Sequence, residues 1–103
     1  MAPKVSEVAP YGAAEWPIVS AADMVGRVFS ILDVAEVATR YGARLRFTIE
    51  HNGHRYAMFL SRNGQRDNLL RYYQDPNHQV IVNVTITRMG RVYAFTDGEV
   101  NNG

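Results

Sequence analysis

The sequence predicts an all-β domain carrying one short helix, with five strands drawn from residues 23–97. Three observations carry that class. Asn52-Gly53 lies between two runs of alternating polar and apolar residues, and a two-residue type I′ turn needs φ > 0 at both central positions, which these residues tolerate best. Residues 79–87, QVIVNVTIT, alternate at the strand period of two. Between these regions Leu69, Leu70 and Tyr73 form one helical stripe, closed by Asp75-Pro76-Asn77.

In chain order, residues 1–22 hold three of the four prolines and no clear periodicity. They read as an extended arm, disordered at its start, with Trp16-Pro17-Ile18 packed on the domain or added as an edge strand. Apolar contact is the usual employment of a lone Trp, and stacking on nucleic acid is its alternative here. Residues 24–37, MVGRVFSILDVAEV, suit a long strand near 25–36, bent at Gly26 or at a later bulge. A helix over 32–40 competes with that strand, because Asp33, Ala35, Glu36 and Ala38 are at ease in one. A loop through Thr39-Arg40-Tyr41-Gly42 follows.

The hairpin of strands 43–51 and 54–61 has its register set by the turn. His51 faces His54, Glu50 faces Arg55, Ile49 faces Tyr56, and so on to Leu45 opposite Leu60. One face is then Leu45, Phe47, Ile49, Tyr56, Met58 and Leu60, the core side. The other carries Arg44, Arg46, Thr48, Glu50, Arg55, Ala57, Phe59 and Ser61. Phe59 is the anomaly of that face, a large ring among arginines. After the helix near 65–74, a strand near 79–88 places Val80, Val82, Val84 and Ile86 inward. Met89-Gly90 forms the next tight turn, flanked by Arg88 and Arg91. A last strand near 91–97 sets Tyr93 and Phe95 beside Ile86 and Val84, and residues 98–103 form a flexible tail.

The net charge of +1 conceals a segregation. Residues 24–96 hold ten arginines against five carboxylates, whereas the flanking segments each carry a net −2. Arginine almost without lysine suits bidentate phosphate contacts and stacking on bases, although a GC-rich genome or a hot habitat produces the same bias. With no cysteine in the chain, disulfide frameworks, thiolate zinc sites and cysteine nucleophiles are excluded. No apolar run reaches membrane-spanning length and the N-terminus lacks the pattern of a secretory signal, so a soluble cytoplasmic protein is expected. His51 and His54 are cross-strand neighbours, but spacing supplies no third metal ligand, and His78 lies elsewhere. No phosphate loop, paired carboxylate site or nucleophile motif is visible. The expectation is a non-enzymatic protein without metal or cofactor.

The order strand, strand, strand, helix, strand, strand over residues 24–96, with its two tight turns, resembles the OB-fold, a five-stranded, partly open Greek-key barrel. Within that superfamily it is similar to small single-stranded nucleic-acid-binding proteins of the phage or prokaryotic kind. The resemblance implies a ligand across the second and third strands, between the first-to-second and fourth-to-fifth loops. On this chain those positions are Arg44, Arg46, Thr48, Arg55 and Phe59 on the hairpin, Arg40 and Tyr41 in one loop, and Arg88 and Arg91 at the other. The long Gly-rich linker and acidic apolar-tipped tail of bacterial single-strand-binding proteins have no counterpart.

The expected function is therefore to coat or protect single-stranded DNA during replication or repair, with guanidinium groups on phosphates and Phe59 on a base. RNA is the alternative strand. An OB-fold protein-interaction module, meeting an acidic partner or a second subunit through the same face, is the alternative class. Strand edges leave homo-oligomer formation open.

Overall fold

The computed structural model describes residues 16–98. It contains β1 (Phe29–Thr39), β2 (Gly42–His51), β3 (His54–Leu60), α1 (Gly64–Gln74), β4 (Ile81–Met89) and β5 (Val92–Asp97). All five strands join one antiparallel sheet in the order β3-β2-β1-β4-β5. The strand prevails over the competing helix at 32–40, since residues 32–39 continue β1. No helix among the described residues is long and apolar enough to cross a membrane.

The β2–β3 register is the one its turn dictates. Asn52 and Gly53 both take positive φ, at 53° and 79°, and Leu45 faces Leu60, Phe47 faces Met58 and Ile49 faces Tyr56. Leu45, Phe47, Ile49 and Met58 are fully buried and, with Ile31, Ile86 and Phe95, form the centre of the core. β1 bends at a bulge: Ile31 faces Ile49 but Asp33 faces Thr48, leaving Leu32 as the extra residue.

Three expectations need correction. The first concerns β4, where Val80 and Val82 are exposed and Ile81 packs on the core instead. Asn83 takes φ 57°, and Phe29 faces Val84 while Ile31 faces Ile81, so β4 carries one residue more than β1 over that interval. Such a bulge inverts the alternation on one side of itself, and only Val84 and Ile86 keep the expected inward face. The second is the turn after β4. Its central residues are Gly90 and Arg91, with Met89 opposite Val92. Phe95 therefore faces Ile86 and Tyr93 faces Arg88. Gly90 supplies the positive φ, at 67°, from the first turn position rather than the second.

The third correction is closure. The sheet is not closed into a barrel: β3 and β5 lie at its two ends and do not pair. Side chains and the N-terminal arm occupy the space between them. Val19 N–H donates to the Ala57 carbonyl at 2.9 Å and Ala57 N–H donates to the Pro17 carbonyl at 2.8 Å, so the arm does add to the edge of β3. It then turns through a 3-10 segment, Ala22–Met24, that buries Ala21 and Met24, and Gly26 N–H reaches the Ile86 carbonyl at 3.1 Å. From α1, Arg66 donates to the Ser61 carbonyl at 2.8 Å just past β3 and to the Tyr93 carbonyl at 3.0 Å on β5.

α1 starts where Asn63 accepts the Arg66 N–H at 2.8 Å through its side chain, an N-cap bond. It buries Leu70 and Tyr73 as its apolar stripe predicts. The Tyr73 hydroxyl donates to the Ile31 carbonyl at 2.5 Å and accepts the Ile81 N–H at 3.0 Å, bridging β1 and β4 beside their bulge. Burial, the larger influence, raises the Tyr73 pKa against the opposing bond from Ile81. Arg62 bonds Asp67 and Glu36, tying the start of the helix to β1. Asp97, the last residue of β5, is strand, and Gly98 is buried with its N–H on the Asn83 carbonyl. The expectations for the start of the arm and for residues 99–103 fall outside the described residues.

Candidate nucleic-acid interface

Arg44, Arg46, Thr48, Arg55, Ala57 and Phe59 come from the two strands of one hairpin, so the alternation that buries Leu45, Phe47, Ile49 and Met58 turns these six to the opposite face. The face is not one continuous platform. It opens into two hollows, and the cross-strand partners Arg46 and Phe59 line different ones.

The first hollow, about 490 Å³, lies between the end of β3 and the start of β5. Arg44 and Phe59 enter it from the hairpin, Arg91 from the β4–β5 turn, and Tyr93 from β5. Phe59 and Arg44 are half-buried and Arg91 is exposed. Beneath them Arg66 is buried, held by the Ser61 and Tyr93 carbonyls and by the Ser61 hydroxyl at 3.2 Å. Burial pulls its guanidinium pKa below the usual arginine value. Arg66 lines this hollow without having been found by periodicity, because its carbonyl partners are brought together only by the sheet. Its place in the first turn of a helix that follows β3 is the single local hint.

The second hollow, about 300 Å³, is lined by Trp16, Leu32, Asp33, Arg46, Thr48, Arg55 and Ala57. Arg46 pairs with Asp33 at 3.8 Å and Arg55 with Glu50 at 3.8 Å. The Arg55 guanidinium also lies 5.5 Å from the centroid of the Trp16 ring, a cation–π contact. Ala57, on the outward face by register, is fully buried, and the arm bonded to it accounts for that.

Three of the nominated residues lie apart from both hollows. Arg40 and Tyr41 form the two-residue β1–β2 turn, where Tyr41 is 77% exposed and the Thr39 hydroxyl bonds the Tyr41 N–H and the Gly42 carbonyl. Arg88 spends its Nε on the Gly90 carbonyl at 3.0 Å, bracing its own turn. Two of the histidines are engaged in hydrogen bonds, His78 through its Nδ1 with the Asp75 carbonyl at 2.7 Å. His51 Nδ1 donates to the Val28 carbonyl at 2.8 Å and its Nε2 accepts from the Asn52 amide at 3.2 Å. Among the described residues no three His, Cys, Asp or Glu side chains converge as a metal site would require.

Comparison with protein-family models, curated proteins and solved structures finds no match to this chain.

Proposed function

We propose that this chain is an open variant of the OB-fold that binds single-stranded DNA non-enzymatically, with the strand lying in the hollow between β3 and β5. An OB barrel is five-stranded and partly open, and closing the present strand order would bring β3 to β5. Arg66 and the arm take the place of that pairing. The observation that carries the functional reading is the meeting of Arg44, Arg91, Phe59 and Tyr93 around one hollow. They arrive from three strands and one turn and combine phosphate-binding cations with π-faces, the pairing that holds single strands without strong sequence preference.

A protein-interaction module draws support from a different surface. Val80, Val82, Met89 and Val92 are all exposed on or next to β4 and β5. Binding of a labelled oligo-dT, measured by fluorescence anisotropy across a salt series, separates the two. With phosphates on Arg44 and Arg91, log affinity falls against log salt with a slope of about −1.4 or steeper, since each single-strand phosphate contact contributes about −0.7. Duplex of equal length binds more weakly, its bases being already stacked. Absent or salt-independent binding would transfer the case to the interaction module.

A further inference from the structure

We infer that the hollow under Trp16 is a second base-binding subsite, in which a nucleobase stacks on the indole while Arg46 and Arg55 engage the base edge and the adjoining phosphate. The inference rests on the single-strand reading above and adds a site that the hairpin face alone does not define. Arg55 stands over the indole with its long side chain half exposed, and its carboxylate partner Glu50 is 3.8 Å away in solvent-accessible surroundings. Such a pair is held weakly and yields to a phosphate at little cost.

Arg46 supplies the second, independent sign. Its Nε is buried and has no hydrogen-bond partner among the described residues, and its nearest carboxylate, Asp33, stands at 3.8 Å. A buried donor left unmade is costly, and here it sits in a residue that lines an open hollow of about 300 Å³. Every nucleobase presents acceptors to the partly exposed Arg46 guanidinium, whose pairing with Asp33 at 3.8 Å is loose, and a π-face to the indole. The Pro17 and Val19 bonds to Ala57 fix the chain immediately after Trp16, so the ring is carried by an ordered edge, as a stacking platform requires. A duplex, whose bases are already paired and stacked, does not offer a base to this hollow.

The chain has one tryptophan, so indole emission reports on the surroundings of Trp16, which lines this hollow. The test titrates the full chain with oligo-dT and, separately, with an abasic strand of equal length, which keeps the phosphates and lacks the bases. Oligo-dT is expected to quench Trp16 emission, and the abasic strand to bind without quenching. Trp16→Ala should weaken oligo-dT binding by roughly five- to a hundredfold, the range for one stacked base, while leaving abasic binding unchanged. Trp16→Phe, which keeps an apolar ring on the arm, should fall between. Oligo-dT that binds without altering Trp16 emission, and equally well to Trp16→Ala, overturns the subsite but leaves the β3–β5 hollow intact. Failure of every strand to bind overturns both.

Discussion

The side-chain amide of Gln65 makes both backbone hydrogen bonds of Phe95: its Nε2 donates to the Phe95 carbonyl at 2.7 Å and its Oε1 accepts the Phe95 N–H at 2.9 Å. A neighbouring strand would make the same pair of bonds. One residue further along the helix, Arg66 takes the Tyr93 carbonyl. The first turn of α1 thus serves as a substitute edge for β5, which explains how a five-stranded sheet with an unclosed end leaves so little of that end open.

Gln65→Ala removes both bonds at once. The expected loss is about 1–3 kcal/mol in unfolding free energy, the cost of leaving partly buried donor and acceptor groups to imperfect solvation. The Phe95 amide should exchange with solvent much faster, whereas the Phe47 and Ile49 amides in the centre of β2 should not. Native-state hydrogen exchange checks this directly, and an unchanged Phe95 rate would mean that the amide does not act as the edge.

Asn83 is the second structural determinant. A residue in the left-handed region costs roughly 1–2 kcal/mol unless it is Gly or Asn, and a β-branched side chain is worse there. Asn83→Gly should therefore leave the melting transition close to that of the parent. Asn83→Val, which forces a β-branched residue into that conformation, should instead destabilise the fold by about 2 kcal/mol. Chemical denaturation of the two variants measures the difference.

Those two residues show where sequence legibility ends. The β2–β3 register was readable because a two-residue turn fixes every pair that follows from it, and all seven observed pairs obey it. β4 looked equally regular, yet one residue in the left-handed region moved Val80 and Val82 to the surface. Periodicity assumes an unbroken pleat and has no signal for a bulge, and the one local hint was Asn83 itself, a residue uncommon in strands that tolerates the left-handed region. The turn at Gly90 slipped for a related reason, since glycine satisfies the positive φ from either central position. Arg44, Arg91 and Phe59 were nominated from a face and a loop, and they share a hollow. Trp16, Arg66 and Gln65 act through partners 27 to 39 positions away in sequence, as with Arg66 on Tyr93 and Gln65 on Phe95. Local pattern carries no information about such contacts.

Acid should loosen the arm. Ser20 N–H donates to the Asp23 carboxylate at 3.1 Å and Asp23 N–H donates to the Ser20 hydroxyl at 3.1 Å, a reciprocal pair at the 3-10 turn that buries Ala21 and Met24. Bonds from the Ser20 amide first and its hydroxyl second hold the Asp23 carboxyl below its ordinary value. A depressed pKa in the folded state stabilises above the unfolded pKa and is lost as pH falls through the folded one. The expected outcome is that the turn frays at a pH below the ordinary aspartate range, and that Ser20→Ala moves the Asp23 titration, followed by NMR, back up toward that range. A titration unmoved by the substitution would show that the Ser20 hydroxyl has no part in holding the carboxyl down.

Phe59 and Arg44 should fail differently on binding. Phe59 is half-buried in the β3–β5 hollow beside Arg44 and Arg91, which leaves one part of the ring for packing and another for a ligand. Stacking contributes about 1–3 kcal/mol per base, so Phe59→Ala should weaken oligo-dT binding by roughly five- to a hundredfold. Its salt slope should scarcely change, because no phosphate contact is removed. Arg44→Ala should weaken binding on every sequence and reduce the magnitude of the slope by up to about 0.7, one single-strand phosphate. Since Phe59 also packs, Phe59→Leu serves as the control that keeps apolar contact without an aromatic face. If Phe59→Leu binds like the parent, the ring is structural, and stacking in this hollow belongs to Tyr93 or does not occur.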